Sequence, residues 1–197
     1  TLTERSGVVN LGGEGAMLFG ALGGAIGATL AGPAAGLGLG VLAGGFVAAL
    51  FAAVAIGAGA NQIITGTAVT LVSVGMTGTI YRQFYGPSGV GLSLPTLPAL
   101  AIPGLSAVPI AGPAFFLQPI TTYLAIGLIP LTWFVLFRTR FGLALRAAGE
   151  DPAAARAAGV SVRWTRLVAV LIGGACAGLA GATLVLAQVG TFTERMT

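Results

Sequence analysis

Apolar residues fall along this chain in five long runs, separated by short clusters of Gly, Pro and polar residues. The runs cover residues 15–31, 35–58, 62–81, 115–137 and 167–189. Each approaches the ~20 apolar residues that a helix needs to cross hydrocarbon. Gly32-Pro33 ends the first run, Asn61 precedes the third, and Pro130 inside the fourth predicts a kink. None of the runs alternates as a barrel strand would. The pattern predicts an all-α polytopic transmembrane bundle of about five spanning helices, forming a single domain over 1–197. Small residues recur at four-residue spacing: Gly23 and Gly27; Gly36, Gly40 and Gly44; Gly174 and Gly178. Such faces let helix backbones approach closely in lipid, and here they predict packing inside the bundle.

Two stretches break the rhythm. Residues 86–113 hold six of the ten prolines and no charge, too much Pro for a continuous helix. This predicts a Pro-rich, non-cytoplasmic loop over 83–114. Residues 10–20 carry Asn10, Glu14 and four Gly, which predicts a broken or re-entrant helix near the start.

The charges sharpen the topology. Residues 15–81 and 83–137 contain none except in the intervening Arg82. Six Arg and two acids then crowd into residues 138–166, which carry the whole net charge of +4. An Arg at a helix centre costs about 2.5–3.5 kcal/mol, so this segment is an aqueous loop, and its Arg excess reads as cytoplasmic. A nucleic-acid surface is excluded, because it would not be bracketed by two spanning segments. Alternation of the spans then puts the turn at 57–61 on the same side.

Composition removes most chemistries. Charged residues are 7% of the chain, against roughly a quarter in a soluble domain. All nine basic residues are Arg, with no Lys and no His. That excludes a phosphate-binding Gly-Lys-Ser/Thr loop, a Schiff-base lysine, a Ser-His-Asp triad and a His zinc pair. The single Cys176 excludes an intrachain disulfide or thiolate metal site. No catalytic residue, metal or cofactor is expected, and ATP hydrolysis would belong to another subunit.

The basic loop has internal order. Asp151 suits a helix N-cap, Pro152 the first helical position, Ala153–Ala158 a helix, and Gly159 its C-terminal stop. Two turns, about 10 Å, do not stand alone in water. The helix either packs on its own bundle or serves as a peg for a peripheral partner, with Glu150 and Arg156 as polar handles.

Four blocks resemble the permease subunits of bacterial ATP-binding-cassette importers of the branched-chain amino acid, ribose and nucleoside type. They are Glu4-Arg5-Ser6-Gly7-Val8-Val9-Asn10 with Leu11 to Gly15; Ala60-Asn61-Gln62-Ile63-Ile64-Thr65-Gly66; Phe141 to Gly159; and Gly178 to Ala182 with the tail Val189 to Thr197. The first block and the tail are most similar to the simple-sugar and nucleoside (guanosine-uptake-like) subgroup. The third block is the most specific. The sequence departs from the family pattern at Gly13, Asp151, Gly57-Ala58-Gly59 and Val69-Thr70.

The resemblance implies a multi-pass protein of the bacterial plasma (inner) membrane, one half of an importer's translocation pathway for a nucleoside or simple sugar. Its implied partners are an ABC ATPase subunit, a second permease copy or paralogue, an extracytoplasmic substrate-binding protein and the lipid bilayer. The loop 138–166 is similar to the coupling loop that meets the ATPase, which implicates Arg146, Gly149, Glu150, Asp151, Pro152, Ala153, Ala154, Arg156 and Gly159. The polar groups within the apolar regions (Asn10, Glu14, Asn61, Gln62 and Gln188) are the candidate substrate-pathway residues. Glu14 could equally sit at the interface or bond a nearby backbone break, and Asn61 and Gln62 could cap the third helix. Family members have further helices on both sides, so the chain resembles a fragment. A secondary transporter or channel without an ATPase, and a non-transporting membrane scaffold, are the other classes open to this sequence.

Overall fold

A computed structural model describes residues 2–85, 99–101 and 117–189. The described chain is helical apart from one antiparallel strand pair. Its elements are α1 (Leu2–Arg5), α2 (Gly13–Ala31), α3 (Pro33–Ala52), α4 (Gln62–Tyr85), β1 (Ala99–Ala101), β2 (Leu117–Pro119), α5 (Ile120–Arg138), α6 (Arg140–Glu150), α7 (Pro152–Ala157) and α8 (Val162–Thr183). Wider π-helical turns extend α3 through Ala53–Gly57 and α8 through Leu184–Val189. Among the described residues, α2, α3, α4, α5 and α8 are long and apolar enough to span a membrane. The all-α polytopic bundle expected from the five runs is the observed fold.

The boundaries follow local chemistry. Gly32, at φ +88°, ends α2 in a conformation that an L side chain rarely adopts, and Pro33 starts α3 with its φ already helical. Asn61 Oδ1 accepts hydrogen bonds from Ile63 N (3.0 Å) and Ile64 N (3.4 Å), which caps α4. Pro130 lies inside α5 without interrupting it. Most of the Pro-rich loop over 83–114 lies outside the described residues. Its described part contributes β1, where Ala99 pairs with Pro119 and Ala101 with Leu117.

Three boundaries differ from the apolar runs, and one helix lies outside them. The fourth span begins at Ile120 rather than 115, because β2 occupies 117–119. The third continues past 81 to Tyr85. The fifth begins at Val162, so Arg163 and Arg166 belong to its first turns rather than to the preceding loop. Residues 140–150 form a helix inside the segment expected as a loop over 138–166. Thr139 Oγ1 caps it by accepting from Gly142 N at 3.1 Å, and its own Leu145 and Ala148 are buried.

The core is the three-helix contact of α2, α3 and α8, and glycine makes it possible. Gly36 lies against Gly24 and Gly27 across α2–α3, Gly44 against Gly174 and Gly178 across α3–α8, and Gly20 against Gly178 across α2–α8. The four-residue glycine spacings thus serve internal packing. Tyr81, Leu22, Val185 and Leu186 fill one end of this core, and Val8, Phe51, Ala52 and Val170 the other. Helix α5 is held at its basic end, where Leu136 packs with Leu145 and Ala169. Outward faces are apolar too: Leu30, Leu42, Phe46, Leu71, Ile129 and Phe134 are exposed, as lipid-facing positions require.

Candidate functional site

The loop at 138–166, the turn at 57–61 and the N-terminal segment come together at one end of the bundle, the basic end. Three joints fix this arrangement. Arg166 Nε donates to the Ser6 carbonyl oxygen (3.0 Å) and its NH2 group donates to that of Ala148 (3.2 Å). Gly149 faces the Arg5 carbonyl and Gly7, a crossing that a Cβ would block. Val9 N donates to Gln62 Oε1 (2.9 Å). Both of these partners of Arg166 are neutral carbonyl oxygens, so these bonds do not cancel its charge.

Helix α7 is the most completely specified element here. Asp151 Oδ1 accepts from Ala153 N (2.8 Å) and Ala154 N (3.1 Å), so the carboxylate serves as N-cap. At the other end Val160 N donates to Ala155 O (2.9 Å) and Gly159 N to Arg156 O (3.0 Å), with Gly159 at φ +84°. That is a Schellman closure, in which the left-handed residue must be glycine-like. Ala155 is the helix's one buried side chain, packed with Ala148 and Val162. Ala153, Ala154, Ala157 and Ala158 are exposed. The helix therefore presents a smooth alanine face held at a fixed angle. Replacing Asp151 by alanine is expected to cost about 1 kcal/mol of α7 stability. Hydrogen exchange at the Ala153 and Ala154 amides should quicken about fivefold, since 1.4 kcal/mol is tenfold. Asp151→Asn should leave it unchanged, since Asn caps equally well.

The other residues implicated in coupling divide by role. Arg146 lies over the Phe137 ring at 5.1 Å, tying α6 to α5. Gly149 is a packing position under the N-terminal segment, and Glu150 ends α6 in an exposed position. Pro152 and Arg156 face a cleft of about 670 Å³, opposite Ile56 and Gly59, with Arg163 and Arg166 on the adjoining wall. Arg163 and Arg166 escaped the sequence reading, which placed them in the loop. The Ser161-Val162 start of α8 was masked because the apolar run begins only at Leu167.

The proposed pathway residues separate as well. Asn61 caps α4 and Gln62 holds Val9, so both have structural partners. Asn10 Oδ1 accepts from Gly12 N (3.1 Å), shaping the turn into α2. That turn is deep in the bundle. Thr70 Oγ1 donates to the Leu11 carbonyl (3.1 Å), and Gly15 lies beside Ser73. These α4 residues are eight and eleven positions beyond Gln62, about 12–16 Å along the helix at 1.5 Å per residue. The chain thus leaves the basic end through Val8–Asn10 and starts α2 beside α4, two to three turns along that helix. Glu14 stands exposed in the first turn of that helix. The broken or re-entrant helix expected over residues 10–20 is thus corrected: only residues 10–12 are non-helical, and α2 runs unbroken from Gly13 to Ala31 through Glu14, Gly15 and Gly20. Gln188 belongs to the π-helical turn that ends α8.

The fold and this end define a polytopic membrane protein with a short helix, capped at both ends, at its basic end. The chain belongs to the family described as branched-chain amino acid transport system / permease component, which matches residues 1–196. It is 41% identical over 201 residues to TsgC13 of Haloferax volcanii, provisionally named a glucose ABC transporter permease protein, covering 100% of this chain and 60% of that protein. It is 37% identical to the guanosine ABC transporter permease protein NupQ of Bacillus subtilis, covering 91% of this chain and 59% of the relative. With the nucleoside ABC transporter permease protein NupC of Lactococcus lactis subsp. cremoris the identity is 34%, over 97% of this chain and 62% of the relative. The chain thus spans about 60% of the length of the curated relatives it matches. No solved structure shows a significant match. The protein is a multi-pass protein of the plasma membrane.

Proposed function

We propose that this chain is part of the membrane-embedded subunit of an ATP-binding-cassette importer for a nucleoside or simple sugar. On this reading the basic end is cytoplasmic, α7 is the coupling helix, and a separate ATPase subunit receives it and hydrolyses ATP. A second permease copy or paralogue completes the pathway, and an extracytoplasmic binding protein delivers the solute. The observation that carries the proposal is α7 itself. A two-turn helix has no stability of its own, yet this one is capped at both ends and docked through Ala155, with an exposed alanine face. Motion of a partner would pass into α6 and α8 through Ala148 and Val162, the two side chains that hold it.

The solute class is supported by the names of the relatives, which are glucose, guanosine and nucleoside permeases. The few charges in the spans suit a neutral solute, and Asn10, Glu14 and Gln188 are the polar positions that would meet it.

The test is to delete residues 151–159 from the full-length permease and purify it with its ATPase subunit. We expect a folded permease that has lost the ATPase. Equal recovery of the ATPase with and without the segment would overturn the assignment of α7.

A further inference from the structure

We propose that the cleft between α7 and the α3–α4 turn binds the headgroup of an anionic phospholipid, with one acyl chain lying between α3 and α4. The inference rests on the chain spanning a membrane and is independent of the ATPase reading.

The first observation is charge. Arg156, Arg163 and Arg166 line one cleft of about 670 Å³, and among the described residues no acid lines it. The nearest acid in sequence, Asp151, is committed to the cap of α7. Arg166 is oriented by its bonds to Ser6 and Ala148, so one guanidinium is held in place before any ligand arrives. Arg forks match phosphate geometry, and basic pockets between spanning helices are a recurrent form of lipid headgroup site.

The second observation is depth. The apolar part of α3 ends at Ile56, which lines the cleft, and those of α4 and α8 begin at Ile63 and Leu167, each one residue beyond the lining residues Gln62 and Arg166. Trp164 is 64% exposed in the first turn of α8, and Trp133 is 54% exposed one turn from the basic end of α5. Exposed tryptophans mark the headgroup level. The three Arg therefore sit at the level marked by these tryptophans, where lipid phosphates lie.

The third observation is an apolar slot that starts at the same turn. A second cavity of about 380 Å³ runs between α3 and α4, lined by Phe46, Leu50, Val54, Ile64, Val72 and Met76. Val54 and Ile64 at its near end are each two residues from Ile56 and Gln62 of the basic cleft. From Ile64 to Met76 it follows α4 for twelve residues, about 18 Å, an acyl-chain dimension.

The test uses the full-length permease in neutral detergent, with phosphatidylglycerol or phosphatidylcholine of identical acyl chains added. Melting temperature and lipid retention in native mass spectrometry are read. We expect phosphatidylglycerol to raise the melting temperature above the phosphatidylcholine value and to be retained. Arg156→Gln with Arg163→Gln should abolish that increment and weaken retention at least about tenfold, given roughly 1 kcal/mol per Arg near a lipid surface. Both side chains are exposed, so folding should survive. Arg140→Gln, exposed and outside the cleft, should keep the increment. Equal responses to the two lipids, or an increment that survives the double substitution, would overturn the proposal. So would an equal shift from glycerol phosphate alone, which would make this a free-phosphate site. Loss of the ATPase subunit from Arg163→Gln with lipid retention intact would assign the cleft to that partner instead.

Discussion

Replacing Gly178 by valine is expected to remove most of the folded protein. Gly178 stands where α2, α3 and α8 converge. A Cβ there would meet the Gly40 carbonyl, and it would lie 2.8 Å from Gly44 Cα and 3.0 Å from Gly44 N. These are backbone atoms, which cannot rotate aside as a flexible side chain could. Gly20 closes the third side against Gly178 itself. Valine must therefore part α8 from α3 and α2 together. In lipid no hydrophobic effect draws separated helices back, so close packing is the main attraction lost. Overpacking costs about 1–3 kcal/mol in ordinary cores and more where nothing can yield, and this position belongs at the upper end. The measurement is the fraction of full-length protein surviving a heating series in detergent. Gly38→Ala and Gly45→Ala are the controls, because a Cβ at either meets nothing within 4 Å. They should melt at or slightly above the parent temperature, since alanine is worth up to about 1 kcal/mol over glycine in a helix. Parent-like melting of Gly178→Val would contradict the three-helix contact.

The spans were legible because a bilayer imposes one rule on every lipid-crossing segment, and the composition obeys it over all five runs. The turn at Asn10–Gly12 was legible from its polar side chain and glycine, but the break expected as far as residue 20 was not found, because packing against α4 and α8 keeps Gly15 and Gly20 helical. The ends were less so. The start of α8 was hidden because Val162, Trp164 and Thr165 are interleaved with Arg163 and Arg166, and a run of mean hydropathy begins only at Leu167. Helix α6 was hidden for a different reason. Its buried stripe is short (Gly142, Leu145 and Ala148), and it was read beside a dense set of Arg that looked like loop. What no sequence pattern could show is which residues converge. Gly149 reads as part of a coupling motif but acts as the crossing point for the N-terminal segment. Arg166, five positions beyond Ser161, bonds Ser6 across 160 residues of sequence and Ala148 across 18. The caps by Asp151 and Asn61 were readable because a cap is decided within three residues.

Ala155→Asp should separate the docking of α7 from the integrity of the bundle. Ala155 is 4% exposed and packs with Ala148 and Val162. A carboxylate placed there enters an apolar cluster, and burying a polar group without a hydrogen-bond partner costs roughly 2–7 kcal/mol. The six residues of α7 cannot resist that cost, because a helix this short draws its stability from the surface it docks on. The expected result is undocking: amide exchange over 153–158 accelerates by about a hundredfold for a loss near 3 kcal/mol. The melting temperature of the bundle should be unchanged, since α2, α3 and α8 meet elsewhere. If α7 is the element that an ATPase grips, recovery of that subunit falls with the exchange protection. Ala154→Asp supplies the contrast. It sets the same charge on the exposed face, where α7 stays docked and exchange stays slow. Loss of the ATPase there, without undocking, would locate the partner on the alanine face. Protection in Ala155→Asp equal to that of the parent would show that α7 is held by something other than its one buried side chain.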